Sequence, residues 1–210
     1  LDALLSNTTG AYNTAVGANA LDANTASYNT AVGYNALGSN TTGENNCAVG
    51  ADALASSTGT QNTALGHIAG NSITSGNYNI SIGYNAQPTS ATASGQCTLG
   101  NGNVSNLRCN DTSISSLSDS RDKTDIINSP YGLDFINTVR PVQFLWDTRE
   151  GNIKDGSTRV GFIAQELLTA ADGNNDILDL VIDDNPDRLE AKYGNLLPIA
   201  IKAIQELSTQ

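Results

Sequence analysis

The chain has 210 residues and a mass of 21.8 kDa, enough for one or two domains. Its formal net charge of −11 and pI of about 4.2 argue against nucleic acid or an anionic membrane surface as a partner. No apolar run approaches the length of a membrane span, so no membrane insertion is expected, and the first residues do not read as a signal peptide.

Leu1-Asp2-Ala3-Leu4 reads as the tail of an earlier repeat, so the chain is expected to begin in mid-repeat. Residues 1–117 carry five acids and one base, for a net of −4; residues 118–210 carry 16 acids and 9 bases, for a net of −7. The first part stays soluble through amides and hydroxyls, the second through charge. That shift marks the domain boundary.

Aligned on one glycine, the first part shows six copies of a unit. They are Asn13-Thr-Ala-Val-Gly17, Asn29-Thr-Ala-Val-Gly33, Asn46-Cys-Ala-Val-Gly50, Asn62-Thr-Ala-Leu-Gly66, Asn79-Ile-Ser-Ile-Gly83 and Gln96-Cys-Thr-Leu-Gly100. The glycines are 16 or 17 residues apart, and four copies continue with an echo such as Tyr34-Asn-Ala-Leu37. A fixed short period means stacked units, none of which buries a face alone. The Gly and Asn load is poor for helix. Two short strands per unit, joined by Gly/Asn turns, are expected, with Thr14 and Val16 on one face and Ala15 on the other.

The constant glycine implies positive φ or close backbone approach. Stacking would align Asn13, Asn29, Asn46, Asn62 and Asn79 as an amide ladder. Inward residues that are mostly Ala, Val, Thr and Leu make a thin core. Three chains around a shared axis would bury more, so a homotrimer is expected.

Residues 1–104 resemble the left-handed β-roll heads of trimeric autotransporter adhesins, whose repeats carry a similar apolar–Ala–apolar–Gly beat; any β-solenoid or fibre shaft is the alternative. His67 occupies the variable slot after the glycine and reads as a surface residue, with no metal site expected. Tyr12, Tyr28, Tyr34, Tyr78 and Tyr84 read as packing residues, with sugar stacking as the alternative. Cys47 and Cys97 are three repeats apart. At about 4.8 Å per stacked strand they are separated by roughly 14 Å, beyond the reach of about 7 Å between disulfide-linked Cα atoms. Both are expected to be reduced fillers of the core, and Cys109 has no intrachain partner. Residues 105–117 read as a stem with one or two strands.

From Ser118 the composition is that of a mixed α/β domain. Leu133, Ile136 and Val139 are spaced for a short helix that stops before Pro141. Val142–Trp146 and Arg159–Ile163 read as strands, and Ala164–Ala171 as a helix. Asp179–Asp183 and Leu189–Tyr193 are expected to pair across Asp184-Asn-Pro-Asp187. Asp172, Asn174, Asp176 and Asp183 imitate calcium-loop spacing, but position six is Ile177 rather than Gly, so a solvated loop is expected. Asn195 reads as the N-cap of a last helix, with Pro198 in its first turn. Leu197, Ala200, Ile204 and Leu207 follow a 3-4-3 spacing, flanked by Leu196, Ile199 and Ala203. So broad a stripe suits a multi-stranded, coiled-coil-like bundle.

Four ordered motifs run through this segment: Ser118-Asp119-x-Arg121-x-Lys123, Val139-Arg-Pro-Val-Gln-Phe144-Leu-Trp146, Gly161-Phe-Ile-Ala-Gln-Glu166 and Tyr193-Gly-Asn-Leu-Leu-Pro198. With them, residues 118–210 resemble the intramolecular chaperone domain at the C-termini of endosialidase tail spikes and phage fibres. Asp122 departs from the family, many members of which carry an apolar residue there.

The resemblance implies a self-cleaving serine endopeptidase with Ser118 as nucleophile and Lys123 as base, cutting once between Leu117 and Ser118. Asp119 and Arg121 support the motif, and no cofactor is implied. Leu197, Ala200, Ile204 and Leu207 are expected to drive trimerisation. The whole reads as the distal part of a viral fibre: an all-β repeat head (1–104), a stem (105–117) and an α+β chaperone (118–210) ending in a long helix. Its partners would be its own copies and a host-surface receptor or glycan, and its place the virion. The alternative is a cell-surface adhesin that keeps its C-terminal trimeriser.

Overall fold

The computed structural model describes residues 2–104, 106–110, 114–145 and 157–209. Trp146, and Ser105 and residues 111–113 of the stem, lie outside the described residues. The chain divides into two compact units, Leu1–Ser105 and Asn106–Gln210.

The first unit is a β-solenoid. Each coil contributes one three-residue strand: β1 (Thr14–Val16), β2 (Thr30–Val32), β3 (Cys47–Val49), β4 (Thr63–Leu65), β5 (Ile80–Ile82) and β6 (Cys97–Leu99). They form one parallel sheet in sequence order, in register, so that Ala15, Ala31, Ala48, Ala64, Ser81 and Thr98 make one column. One strand per coil replaces the two expected. The physical reason is backbone conformation: residues such as Tyr28, Asn35 and Leu37 take left-handed φ of 63°, 53° and 52°. They coil the chain back at once and leave only three residues extended.

Two ladders hold the coils in register. Each ladder asparagine accepts the backbone N–H of the next ladder residue; Asn62 Oδ1, for instance, accepts from Asn79 N at 3.0 Å. Its Nδ2 donates across the coil to the Gly76 carbonyl at 2.8 Å. The same pair of bonds recurs at Asn13, Asn29, Asn46 and Asn79. Asn29, Asn46, Asn62 and Asn79 are buried, and each satisfies backbone groups that would otherwise be orphaned. At the glycines both expected reasons apply. Gly50 has φ 137°, and a Cβ there would lie 2.3 Å from the Gly66 carbonyl oxygen.

The core is narrower than the sequence reading had it. Ala31, Ala36, Ala48, Ala53, Leu21, Leu37, Leu54 and Ile73 fill it, while the first and third residues of each strand point outward. Within each three-residue strand only the small middle residue faces in, and the Leu and Ile of the core come from outside the strands. Cys47 and Cys97 therefore lie on the outer face, half-buried and exposed, rather than in the core; both are free, as is Cys109. The five head tyrosines are exposed too, with Tyr12 stacked on Tyr28 at 5.0 Å. Backbone pairing runs between successive coils of one chain, so it needs no neighbouring copy. Among its described residues the stem is exposed and contains no strand.

The second unit is α+β. It contains α1 (Leu133–Ile136), β7 (Val142–Leu145), β8 (Thr158–Gly161), α2 (Ala164–Ala171), α3 (Asn175–Leu178), β9 (Val181–Ile182), β10 (Glu190–Ala191) and α4 (Leu196–Leu207). β7 pairs antiparallel with β8, and β9 with β10. Leu167, Ala171, Leu178, Leu180, Val181, Leu196 and Ile199 form its core. The expected acidic loop holds α3 instead, whose Asn175 side chain donates to the Val181 carbonyl at 2.9 Å. Asn195 makes no side-chain cap; its amide donates to the Asp179 carbonyl at 2.6 Å, and a 3-10 turn over Tyr193–Asn195 leads into α4.

Candidate functional site

Ser118-Asp-Ser-Arg-Asp-Lys123 folds as a single 3-10 turn over Ser120–Asp122. Asp119 is its N-cap: Oδ1 accepts the Arg121 backbone N–H at 2.9 Å. The Arg121 guanidinium closes on the same carboxylate, Nε to Oδ1 at 3.0 Å and a second nitrogen to Oδ2 at 2.6 Å. That fork lowers the Asp119 pKa, through the Arg121 side chain first and its backbone N–H second, and raises that of Arg121.

The turn brings the ends of the motif together. Lys123 Nζ lies 2.5 Å from Ser118 Oγ and donates to it. Asp122 makes no ion pair with Lys123 among the described residues; its backbone N–H donates to the Asp119 carbonyl at 3.2 Å. Leu117 is 100% exposed, and Ser118 and Lys123 are exposed as well. The scissile carbonyl expected at Leu117 thus adjoins a hydroxyl in contact with an amine, with all three open to solvent in the single chain.

The remaining motifs meet through side chains. The Tyr193 hydroxyl accepts the Phe162 N–H at 3.2 Å and donates to the Phe162 carbonyl at 3.1 Å. Gly161 is required beside it, since a Cβ there would lie 2.8 Å from that hydroxyl. Arg140 pairs with Glu166 through two nitrogens, and its pKa is raised mainly by that hydrogen bond. At α4, Glu206 Oε2 accepts the Leu133 N–H at 2.7 Å, holding the start of α1, while Lys202 pairs with its other oxygen at 3.1 Å. The Glu206 pKa is lowered, first by that backbone bond and then by Lys202. The sequence alone does not signal these contacts, although two of the pairs, Phe162–Tyr193 and Arg140–Glu166, join residues of the quoted motifs.

α4 splits its apolar residues between two faces. Leu196, Ile199 and Ala203 are buried in the unit's own core. Leu197 is 63% and Ile204 64% exposed, Leu207 is exposed beside them, and Ala200 is half-buried. Ile201, absent from the expected set, is also exposed, and its place one turn after Leu197 is the signal that could have found it.

Among the described residues no group of three or more His, Cys, Asp or Glu could hold a metal ion, and no helix is long and apolar enough to cross a membrane. No curated protein and no solved structure matches the chain. Residues 118–174 match the family model described as chaperone of endosialidase. The match starts at Ser118, where the composition changes, and stops before Tyr193 and α4. The segment that opens with the Ser118–Lys123 turn is thus similar to a chaperone of endosialidase over residues 118–174.

Proposed function

We propose that this chain is the distal part of a viral tail fibre or spike, in which the second unit drives trimerisation and then releases itself by cutting between Leu117 and Ser118. The observation that carries the reading is the contact of Lys123 Nζ with Ser118 Oγ at the first residue of the family match. The reaction is intramolecular. Ser118 Oγ bonds to the Leu117 carbonyl carbon through a five-membered ring, and Lys123 takes the hydroxyl proton. As the ring opens, the Leu117–Ser118 C–N bond breaks, and the proton passes to the departing nitrogen, which becomes the Ser118 α-amine. Water then hydrolyses the Leu117 ester, leaving a carboxylate and restoring the hydroxyl.

Adjacency supplies the effective molarity, so no external substrate and no cofactor are needed. Serine is a weak nucleophile without a base, and lysine acts as one only when neutral, the form that burial favours. Ser118 and Lys123 are exposed in one chain. Burial of the turn on assembly would favour the neutral amine, so cutting follows assembly. Asp119 and Arg121 position the turn without touching the scissile carbonyl. The released head would serve as the virion's structural or receptor-binding tip.

Ser118→Ala and Lys123→Ala separate the parts of this reading. Each variant should trimerise in light scattering yet stay full length by intact mass, because neither residue belongs to an apolar contact. Cleavage at Leu117 in Ser118→Ala chains would overturn it.

A further inference from the structure

The outer face of the solenoid sheet is apolar and bare. Val16, Val32, Val49, Leu65, Ile82 and Leu99 form one in-register column along it. Val16 is 57% and Leu65 50% exposed, with Val32 and Val49 half-buried, although Ala64 beside Leu65 is almost fully buried. A second outward column of Thr, Cys and Ile runs beside it, and neither column contains a charged residue. In a head that stays soluble through amides and hydroxyls, an exposed row of six Val, Leu and Ile side chains is a departure that solubility alone would not favour.

We infer that this face is the contact between the heads of neighbouring copies, packed parallel and in register. The inference rests on the assembly reading above and adds to it the surface and the alignment. Periodicity selects the occupant. The knobs recur at one strand spacing, about 4.8 Å, in a straight row of six. A partner must present apolar side chains at that same spacing over that same length. A second copy of this solenoid does so residue for residue, whereas a globular partner or a helix with its 5.4 Å pitch drifts out of step within a few coils. Parallel alignment follows from the chain's other bare apolar surface. It puts the C-terminal ends of the copies together, where the exposed side of α4 also needs partners. Each head closes its own core and its own backbone pairing, so association buries side chains only.

Two natural cysteines on this face report the alignment. In a Cys109→Ser background, trimers verified by light scattering are treated with dibromobimane, which bridges two nearby thiols. Mass spectrometry of the digest should find Cys47 joined to Cys47 and Cys97 joined to Cys97 between chains. Links from Cys47 to Cys97, which lie three coils apart, would mean packing out of the proposed register, and verified trimers without any link would place the contact on another face; either overturns the inference while leaving the assembly reading intact. Leu65→Glu gives a second readout: the coil should keep its circular dichroism, since the side chain points away from the core, while head fragments fall from trimer to monomer. Trimeric Leu65→Glu heads would overturn the inference. A wild-type chain that is monomeric would overturn the assembly reading itself and this face with it.

Discussion

At the residue scale, the head depends on side chains that substitute for backbone. Asn62→Ala would orphan the Asn79 N–H and the Gly76 carbonyl inside the solenoid. A buried unpaired group costs about 1–3 kcal/mol, so the variant should lower the melting temperature of the head by several degrees. Calorimetry checks this, and an unchanged transition would show that the ladder carries no stability. Gly50→Ala should be at least as damaging, because its φ is 137° and the new Cβ would strike the next coil's backbone. In the second unit, Glu206 gives a pH test. Its pKa is depressed by the Leu133 N–H and Lys202. A depressed carboxylate stabilises the fold above its unfolded pKa, and that contribution is lost as pH falls through the folded value. The protection of the Leu133 amide, taken relative to its intrinsic exchange rate, should therefore fall in acid, with Glu206→Gln showing a flatter pH dependence. Equal slopes would mean that the bond does not guard α1.

At the element scale, α4 joins the two halves of the account, since its buried face belongs to the unit's own core and its bare face is the one proposed to meet neighbouring copies. Ile204→Asp places a charge on the bare face, so it should abolish soluble trimers while leaving Leu196, Ile199 and Ala203 packed. Light scattering with circular dichroism checks this, and normal trimer yield would show that the face is merely exposed. Much of this element order was legible in the sequence. The Ala164–Ala171 helix agrees residue for residue, because its apolar spacing and flanking strands leave one choice. The amide and glycine ladders were legible because period alone aligns them. What misled was hydropathy: Val and Thr look more suited than Ala to a core, but each strand turns only its middle residue inward, and the larger core side chains such as Leu37 and Leu54 come from outside the strands. Left-handed φ at Leu37 and Tyr28 carries no sequence signal, so one strand was read as two. The cap expected at Asn195 was drawn away by Asp179, a partner distant in sequence. At the cutting site, the pairing of Ser118 with Lys123 followed from the motif, whereas the Asp119–Arg121 fork that forms the turn did not.

At the scale of the whole molecule, a solenoid that completes its own core is followed by a unit that leaves an apolar helix face open and begins with a poised hydroxyl. Those features fit a sequence of events in which copies associate, water leaves the turn at Ser118, and the folding device departs from a finished head. The free amine of Lys123 is the proposed base for the cut. The most direct measurement is N-terminal sequencing of wild-type trimers, verified by light scattering and held at alkaline pH. The account predicts a new terminus reading Ser-Asp-Ser-Arg, with fragments 1–117 and 118–210 by mass. Trimers that show only the original terminus after prolonged incubation would contradict it.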